Sequence, residues 1–149
     1  MIIQKADISD AAQILSLQKL AYQSEAEIYN DCKIPPLTQT LEEVESKFKD
    51  HIFLKAVEDG KIIGSVRGNI LNSVTIYIGR LIVNPDYQNQ GFGTKLLNKI
   101  EACFPDFNRF ELITGYKSEK IFLFIKRWVI KFLKRKNLPI TCIYYTWKK

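Results

Sequence analysis

The chain has 149 residues, 46% hydrophobic and 26% charged, a composition that suits a globular fold with one sizeable core. Its three cysteines (Cys32, Cys103, Cys142) lack metal-ligand spacing and His51 is its only histidine, which excludes a His/Cys cluster: free thiols in a reducing cytoplasm are expected, and no metal. The net charge of +6 is confined to the end, because residues 1–120 hold 14 Lys+Arg against all 16 Asp+Glu while residues 121–149 hold 8 Lys+Arg and no acid, so nucleic acid is not an expected partner.

The first residues, Met1 to Lys5, lack the basic and apolar regions of a secretory signal. No apolar run approaches the roughly 20 residues of a membrane-spanning helix. Ile2 and Ile3 predict a short first strand. Ser9 stands where a cap would, before a helix with Ala12, Ile14, Leu15, Leu17 and Leu20 at helical spacing, running to about 26–29. Pro35-Pro36 predicts an extended loop. Thr40 followed by Glu43 is a capping-box pattern for a helix over 40–49 whose apolar face is Leu41, Val44 and Phe48.

Three strands follow, over 52–57, 62–71 and 74–83. Asp59-Gly60 is the hairpin signal between the first two, and Asn72-Ser73 turns between the second and third. In the third strand Val74, Ile76 and Ile78 share one parity, whereas Leu81 and Val83 have the other. The change falls at Gly79-Arg80 and predicts a bulge that re-aims the rest of the strand. After Pro85 the spacing of Phe92, Leu96, Leu97, Ile100 and Phe104 predicts a helix ended by Pro105; a strand over 109–114 and the start of a helix over 116–120 come next. The order β-α-α-β-β-β-α-β-α predicts one α/β domain with a central sheet.

The segment Val83-Asn84-Pro85-Asp86-Tyr87-Gln88-Asn89-Gln90-Gly91-Phe92-Gly93-Thr94 sets a glycine-containing turn between a strand and an amphipathic helix. A helix N-terminus presents unpaired N–H groups and the positive end of its dipole, and glycines let a bulky anion approach them. Spacing alone leaves two readings open: a pyrophosphate site, or a turn whose glycines serve backbone geometry.

Gln88-Asn89-Gln90-Gly91-Phe92-Gly93 is similar to the Q/R-x-x-G-x-G/A signature of the GCN5-related N-acetyltransferase (GNAT) superfamily, and Gly79 to Tyr87 resembles the bulged strand that precedes it there. The likeness spans about four fifths of the chain. It implies a GNAT-like α/β fold, with a mixed, mostly antiparallel central sheet, helices on both faces, and a V-shaped splay between the fourth and fifth strands. It further implies acetyl-CoA as cosubstrate, held by backbone groups of Leu81, Ile82 and Val83 and by the amides of Gln88, Asn89, Gln90, Gly91, Phe92, Gly93 and Thr94. The amine would attack the thioester directly.

The likeness stops after Lys120. Relatives continue with N-x-x-x-Y-x-K-x-G-Y, whose first tyrosine protonates the leaving thiolate, and here Ile125 stands at that tyrosine's place. The catalytic residue is therefore unknown. A one-base shift of reading frame just after Lys120 explains the change, since restoring one adenine to A/T-rich codons returns the family helix in order and at length. The loss of every acidic residue at the same point agrees with it. If the tail is selected as written, Lys126, Arg127, Lys131, Lys134 and Arg135 line one side of a helix opposite Phe122, Ile125, Trp128, Val129, Phe132 and Leu133. Such a helix suits an anionic membrane or an acidic partner.

Glu25 and Glu27, near the end of the first helix, are candidate general bases, directly or through water; the plainer reading is a solvated helix face. Tyr77 and Tyr116 are candidate substitutes for the missing acid, though aromatic residues in strands more often pack. Arg80 at the bulge reads as structural, and Cys103 and Phe104 as core. The acceptor stays open among small polyamines, amino sugars, peptide N-termini and protein lysines. Three functions compete: an acetyltransferase, monomeric or homodimeric; an acetyl-CoA binder with little turnover; and a protein acting through its basic tail.

Overall fold

The computed structural model describes residues 1–23, 26–27, 30, 33–107, 109–114, 126–128, 131, 134 and 144–146. Alternating apolar residues and tight turns give the strands β1 (Ile2–Lys5), β2 (Ile52–Glu58), β3 (Lys61–Ile70), β4 (Thr75–Val83), β5 (Arg109–Thr114) and β6 (Tyr144–Thr146), joined in one sheet in that order. β1 to β4 pair antiparallel, whereas β4 with β5 and β5 with β6 are parallel. The Asp59-Gly60 turn has φ of 51° and 75°, the left-handed pair that a two-residue hairpin needs.

The helices are α1 (Ala11–Ala21), α2 (Pro35–Thr38), α3 (Leu41–Lys47) and α4 (Phe92–Ala102). α1 and α3 cover one face of the sheet, where Ala11, Ile14, Leu15 and Val44 pack on Phe53. α4 covers the other, where Phe92, Leu96, Leu97 and Ile100 pack on Val66, Ile76 and Ile78. Each such side chain, fully buried, contributes roughly 1.5–3 kcal/mol. The helix can sit this close because β3 carries glycine beneath it. A Cβ on Gly64 would come within 2.9 Å of Leu96 Cδ1, and one on Gly68 within 3.1 Å of Phe104 Cε2.

The fold matches the expected α/β class, with local corrections. Ser9 does not cap α1. Asp7 caps a 3-10 turn over Ile8–Asp10, where its carboxylate accepts the Ser9 N–H and hydroxyl, and α1 starts only after it. α1 ends at Ala21, and the expected extension runs into residues outside the described set. Pro35-Pro36 opens a one-turn helix rather than an extended loop, because proline lacks only an N–H that a first helical turn does not use. Buried Gln18 fastens that turn to α1, its Nε2 donating to Pro36 O at 2.8 Å and Gln39 Oε1 at 2.9 Å. The Thr40 hydroxyl accepts the Glu43 N–H, one half of the expected capping box; on the expected apolar face Val44 is buried and Phe48 stacks on Phe53 with centroids 3.9 Å apart, but Leu41 is exposed.

Of the tail, Lys126, Arg127, Lys131 and Lys134 are helical and exposed, and Trp128 is buried against the α4 face. Its indole N–H donates to Asn98 Oδ1 at 3.1 Å, and its ring meets Phe110 edge to face. The helix expected over 116–120 lies outside the described residues.

Candidate active site

The bulge falls where the parity change placed it. Pairing of β3 with β4 runs Gly68↔Ile78 and Arg67↔Gly79, then resumes at Ser65↔Ile82, so Arg80 and Leu81 together face Val66. Arg80 takes the extra step with φ of 49°, a left-handed conformation costly for a non-glycine residue. As a result Ile76 and Ile78 before the bulge, and Leu81 and Val83 after it, all turn toward the α4 side. Val74, grouped with Ile76 in the sequence, lies outside the strand and is exposed.

Beyond the bulge β4 parts from β5. Their pairing runs from Thr75↔Arg109 to Ile78↔Leu112 and stops there, while β5 goes on through Leu112, Ile113 and Thr114 to pair with β6. Among the described residues, Gly79 to Val83 keep β3 as their sole strand partner, which leaves one edge of β4 facing the gap. This is the expected V-shaped splay. A bare strand edge is a ready template for an extended group that can pair with it.

The loop leaving that edge is held by its own polar residues. Asn84 N–H donates to Ile63 O at 2.7 Å, Asn84 Oδ1 accepts the Asp86 N–H at 2.9 Å, and Gln88 Nε2 donates to Val83 O at 3.2 Å. Asn89 and Gly91 both have positive φ, 63° and 84°. Gly91 is the N-cap of α4; it supplies no side-chain cap, and the first turn carries no acid. An added Cβ at Gly91 would meet nothing within 4 Å, so this side of the helix end is open. Gln88, Asn89, Gln90 and Gly91 are exposed, Gly93 and Thr94 half-buried, and Phe92 is anchored in the core beneath them. The donor set, uncapped amides with no competing carboxylate, fits a pyrophosphate.

The opposite, α1-side face of the splay carries Arg67 and Asn69, which the sequence reading passed over, beside Tyr77 and Arg80, which it named. Arg67 is 6% exposed and lies over the Phe53 ring at 5.7 Å. Among the described residues its Nε and Nη1 have no hydrogen-bond partner, and neither do Arg80 Nε and Asn69 Oδ1. Burial, with the nearby Arg80 charge, pulls the Arg67 guanidinium down to about 10. In the sheet register Arg67 sits opposite Gly79 and Asn69 opposite Tyr77. The Tyr77 ring lies over Gly79, where a Cβ would be 2.7 Å from Cε1 and 2.9 Å from the hydroxyl. The alternation Ser65, Arg67, Asn69 was the signal available for this cluster. Arg80, expected to make structural hydrogen bonds only, leaves its Nε without any. Glu27 is exposed, while Glu25, Tyr116 and Ile125 lie outside the described residues.

Bulged strand, splay and glycine turn define an acyltransferase architecture, and comparison with known proteins agrees. Residues 14–118 match the model of the acetyltransferase (GNAT) family, and the chain belongs to that family. No curated protein matches it. Among solved structures it resembles the PaiA N-acetyltransferase of Thermoplasma acidophilum in complex with coenzyme A, at 18% identity over 85% of this chain and 86% of that one, with a TM-score of 0.72. A GNAT-family acetyltransferase of Staphylococcus aureus Mu50 is 19% identical over 85% and 81%, with a TM-score of 0.70. An aminoglycoside acetyltransferase from an uncultured soil metagenomic sample, in complex with sisomicin, is 17% identical over 99% and 96%, with a TM-score of 0.63. At these identities the structures speak to the fold.

Proposed function

We propose that this chain is an acetyl-CoA-dependent N-acetyltransferase in which a primary amine attacks the thioester directly. The reading is carried by one juxtaposition: the edge of β4 left bare beyond Ile78 leads straight into the uncapped N-terminus of α4. Leu81, Ile82 and Val83 offer backbone groups to the pantetheine arm as an added strand would. The amides of Gln88, Asn89, Gln90, Gly91, Phe92, Gly93 and Thr94 take the pyrophosphate. Glu25 and Glu27 are the carboxylates available as bases for the amine. With Ile125 at the family tyrosine's position, Tyr77 over Gly79 is the candidate proton source for the leaving thiolate. One domain, 1–149, acts as a monomer or homodimer in the cytoplasm, on a small-molecule or peptide amine.

Gly91→Asp tests the reading. At the positive φ of this position aspartate is tolerated better than most residues, so the change reads charge rather than strain. A carboxylate at the helix end should weaken acetyl-CoA binding by at least about tenfold in calorimetry. Unchanged affinity would place the cofactor elsewhere.

The second reading, an acetyl-CoA binder of low turnover, is favoured by Ile125, which has no proton to give. Acetyl-CoA binding without amine-dependent thiol release would support it. Contact of the basic tail with a membrane or acidic partner is less favoured, because Trp128 is spent on the core. The frame-shift proposal is tested by sequencing the gene across the codons for Ser118 to Phe122 and by intact mass. One extra adenine restores the family tyrosine, and agreement of both with the chain as written ends the proposal.

A further inference from the structure

We infer that the amine acceptor carries an oxyanion, a carboxylate or phosphate, which Arg67 and Arg80 bind on the α1-side face of the splay. The inference rests on the acetyltransferase reading and narrows its substrate class. A guanidinium that is 6% exposed needs a partner for its donors, and Arg67 Nε and Nη1 have none among the described residues. Among the described residues the ion pairs are His51–Asp50, Lys55–Asp10 and Arg109–Glu111, none of which joins a carboxylate to Arg67 or Arg80, and Asp50 acts on Arg67 only as a minor charge without an ion pair. Two like charges close enough to oppose each other's protonation are costly to keep together unless something negative joins them.

The Phe53 ring holds the Arg67 guanidinium from one side, at 5.7 Å. Stacking of that kind preorganises the plane of the group and leaves its edge for a ligand. The Tyr77 hydroxyl beside Gly79, the residue opposite Arg67, adds a donor or acceptor. Asn69 Oδ1, also buried and unpartnered, accepts from an N–H of the same ligand. Among the described residues, three free donors and one free acceptor thus lie where β4 begins to part from β5, on the face away from α4. A neutral or polycationic acceptor leaves the guanidinium donors unsatisfied and meets two like charges. An amine bearing an oxyanion meets both needs at once.

The test uses the full-length chain with saturating acetyl-CoA and matched primary amines: amino acids against their amides, and amino alcohols against their phosphate esters. Thiol release gives kcat and KM, and thermal shift with glutarate or inorganic phosphate alone gives a readout independent of turnover. The anionic member of each pair should be favoured by at least about tenfold in kcat/KM, mostly through KM. The carboxylate and phosphate series tell which anion is taken. Arg67→Gln and, should that variant not fold, Arg80→Gln should abolish both the preference and the anion-dependent shift, while Arg67→Lys restores only part. Equal use of neutral and anionic amines, or anion effects that survive both glutamine variants, would overturn the inference. The acetyltransferase reading fails separately, if acetyl-CoA itself does not bind.

Discussion

Helices α1 and α4 lie against opposite faces of the same strands, and the two faces are built differently. Under α4 the contact with the sheet is made by apolar side chains: Val66, Ile76 and Ile78 meet Leu96, Leu97 and Ile100, and Gly64 and Gly68 let the helix come close. Under α1 the apolar cluster stops at Phe53, and β3 continues with buried Ser65 and Arg67, then half-buried Asn69. Ser65 is satisfied by Leu54 O at 2.9 Å, but Arg67 and Asn69 keep unpartnered atoms. One face is therefore optimised for packing, while the other holds polar groups in a state that folding alone does not reward. Such asymmetry within one sheet marks the side on which selection acted for something other than stability.

Substitutions at matched sites can break this comparison. Leu96→Ala on the α4 face should cost about 2–5 kcal/mol, because a fully buried leucine leaves a cavity in a closed core; denaturant unfolding measures it. Gly64→Ala on the same face should cost about 1–3 kcal/mol, since the new methyl presses on Leu96 and on the Ile82 carbonyl oxygen at 3.2 Å. Arg67→Met on the α1 face should go the other way. Removing an unpaired buried charge for a side chain of similar length should stabilise by about 1 kcal/mol while impairing amine use. A loss of stability there would mean that the guanidinium supports the fold after all.

The smallest effect concerns pH. His51 is held below the usual imidazole range, first by burial and against the pull of its Asp50 hydrogen bond at 2.6 Å. The unfolded chain takes up a proton near about 6.5 and the native one resists it, so stability should fall as pH drops from there and level off below the lowered native value. His51→Gln should flatten that slope in urea titrations across the range.

Much of the splay, its glycine turn and α4 was legible from residue order, because the signals are local. The parity change at Gly79-Arg80, the hairpin at Asp59-Gly60 and the spacing of Phe92, Leu96 and Ile100 each lie within one element, and each has one physical meaning. The helix starts were misjudged where two polar residues competed, as when Asp7 rather than Ser9 took the capping role. The α1-face cluster was not legible in this way. Arg67 and Tyr77 become neighbours only through the pairing register of β3 with β4, and the burial of Arg67 depends on Phe53 from a third strand. A charged residue alternating with polar ones in a strand looks solvent-facing until a helix is found to cover it.

The bulge at Arg80 also governs which length changes this protein can absorb. Deleting one residue there would repair the irregular ladder with β3, and by pairing alone it would look harmless. The repaired strand would keep Ile82 opposite Ser65 and Val83 opposite Gly64, so Leu81 and Val83 would stay on the α4 side, but it would lose the left-handed step at Arg80 that bends β4 where it parts from β5. A single-residue gap thus preserves the facing of the later side chains only at the bulge, anywhere else in β4 it turns them over, and the Asn72–Val74 turn, exposed and outside the ladder, can take insertions freely. When distant relatives are aligned, a one-residue gap at residues 80–81 marks a strand without the bulge, whereas one elsewhere in β4 should be treated as an alignment error before it is read as divergence.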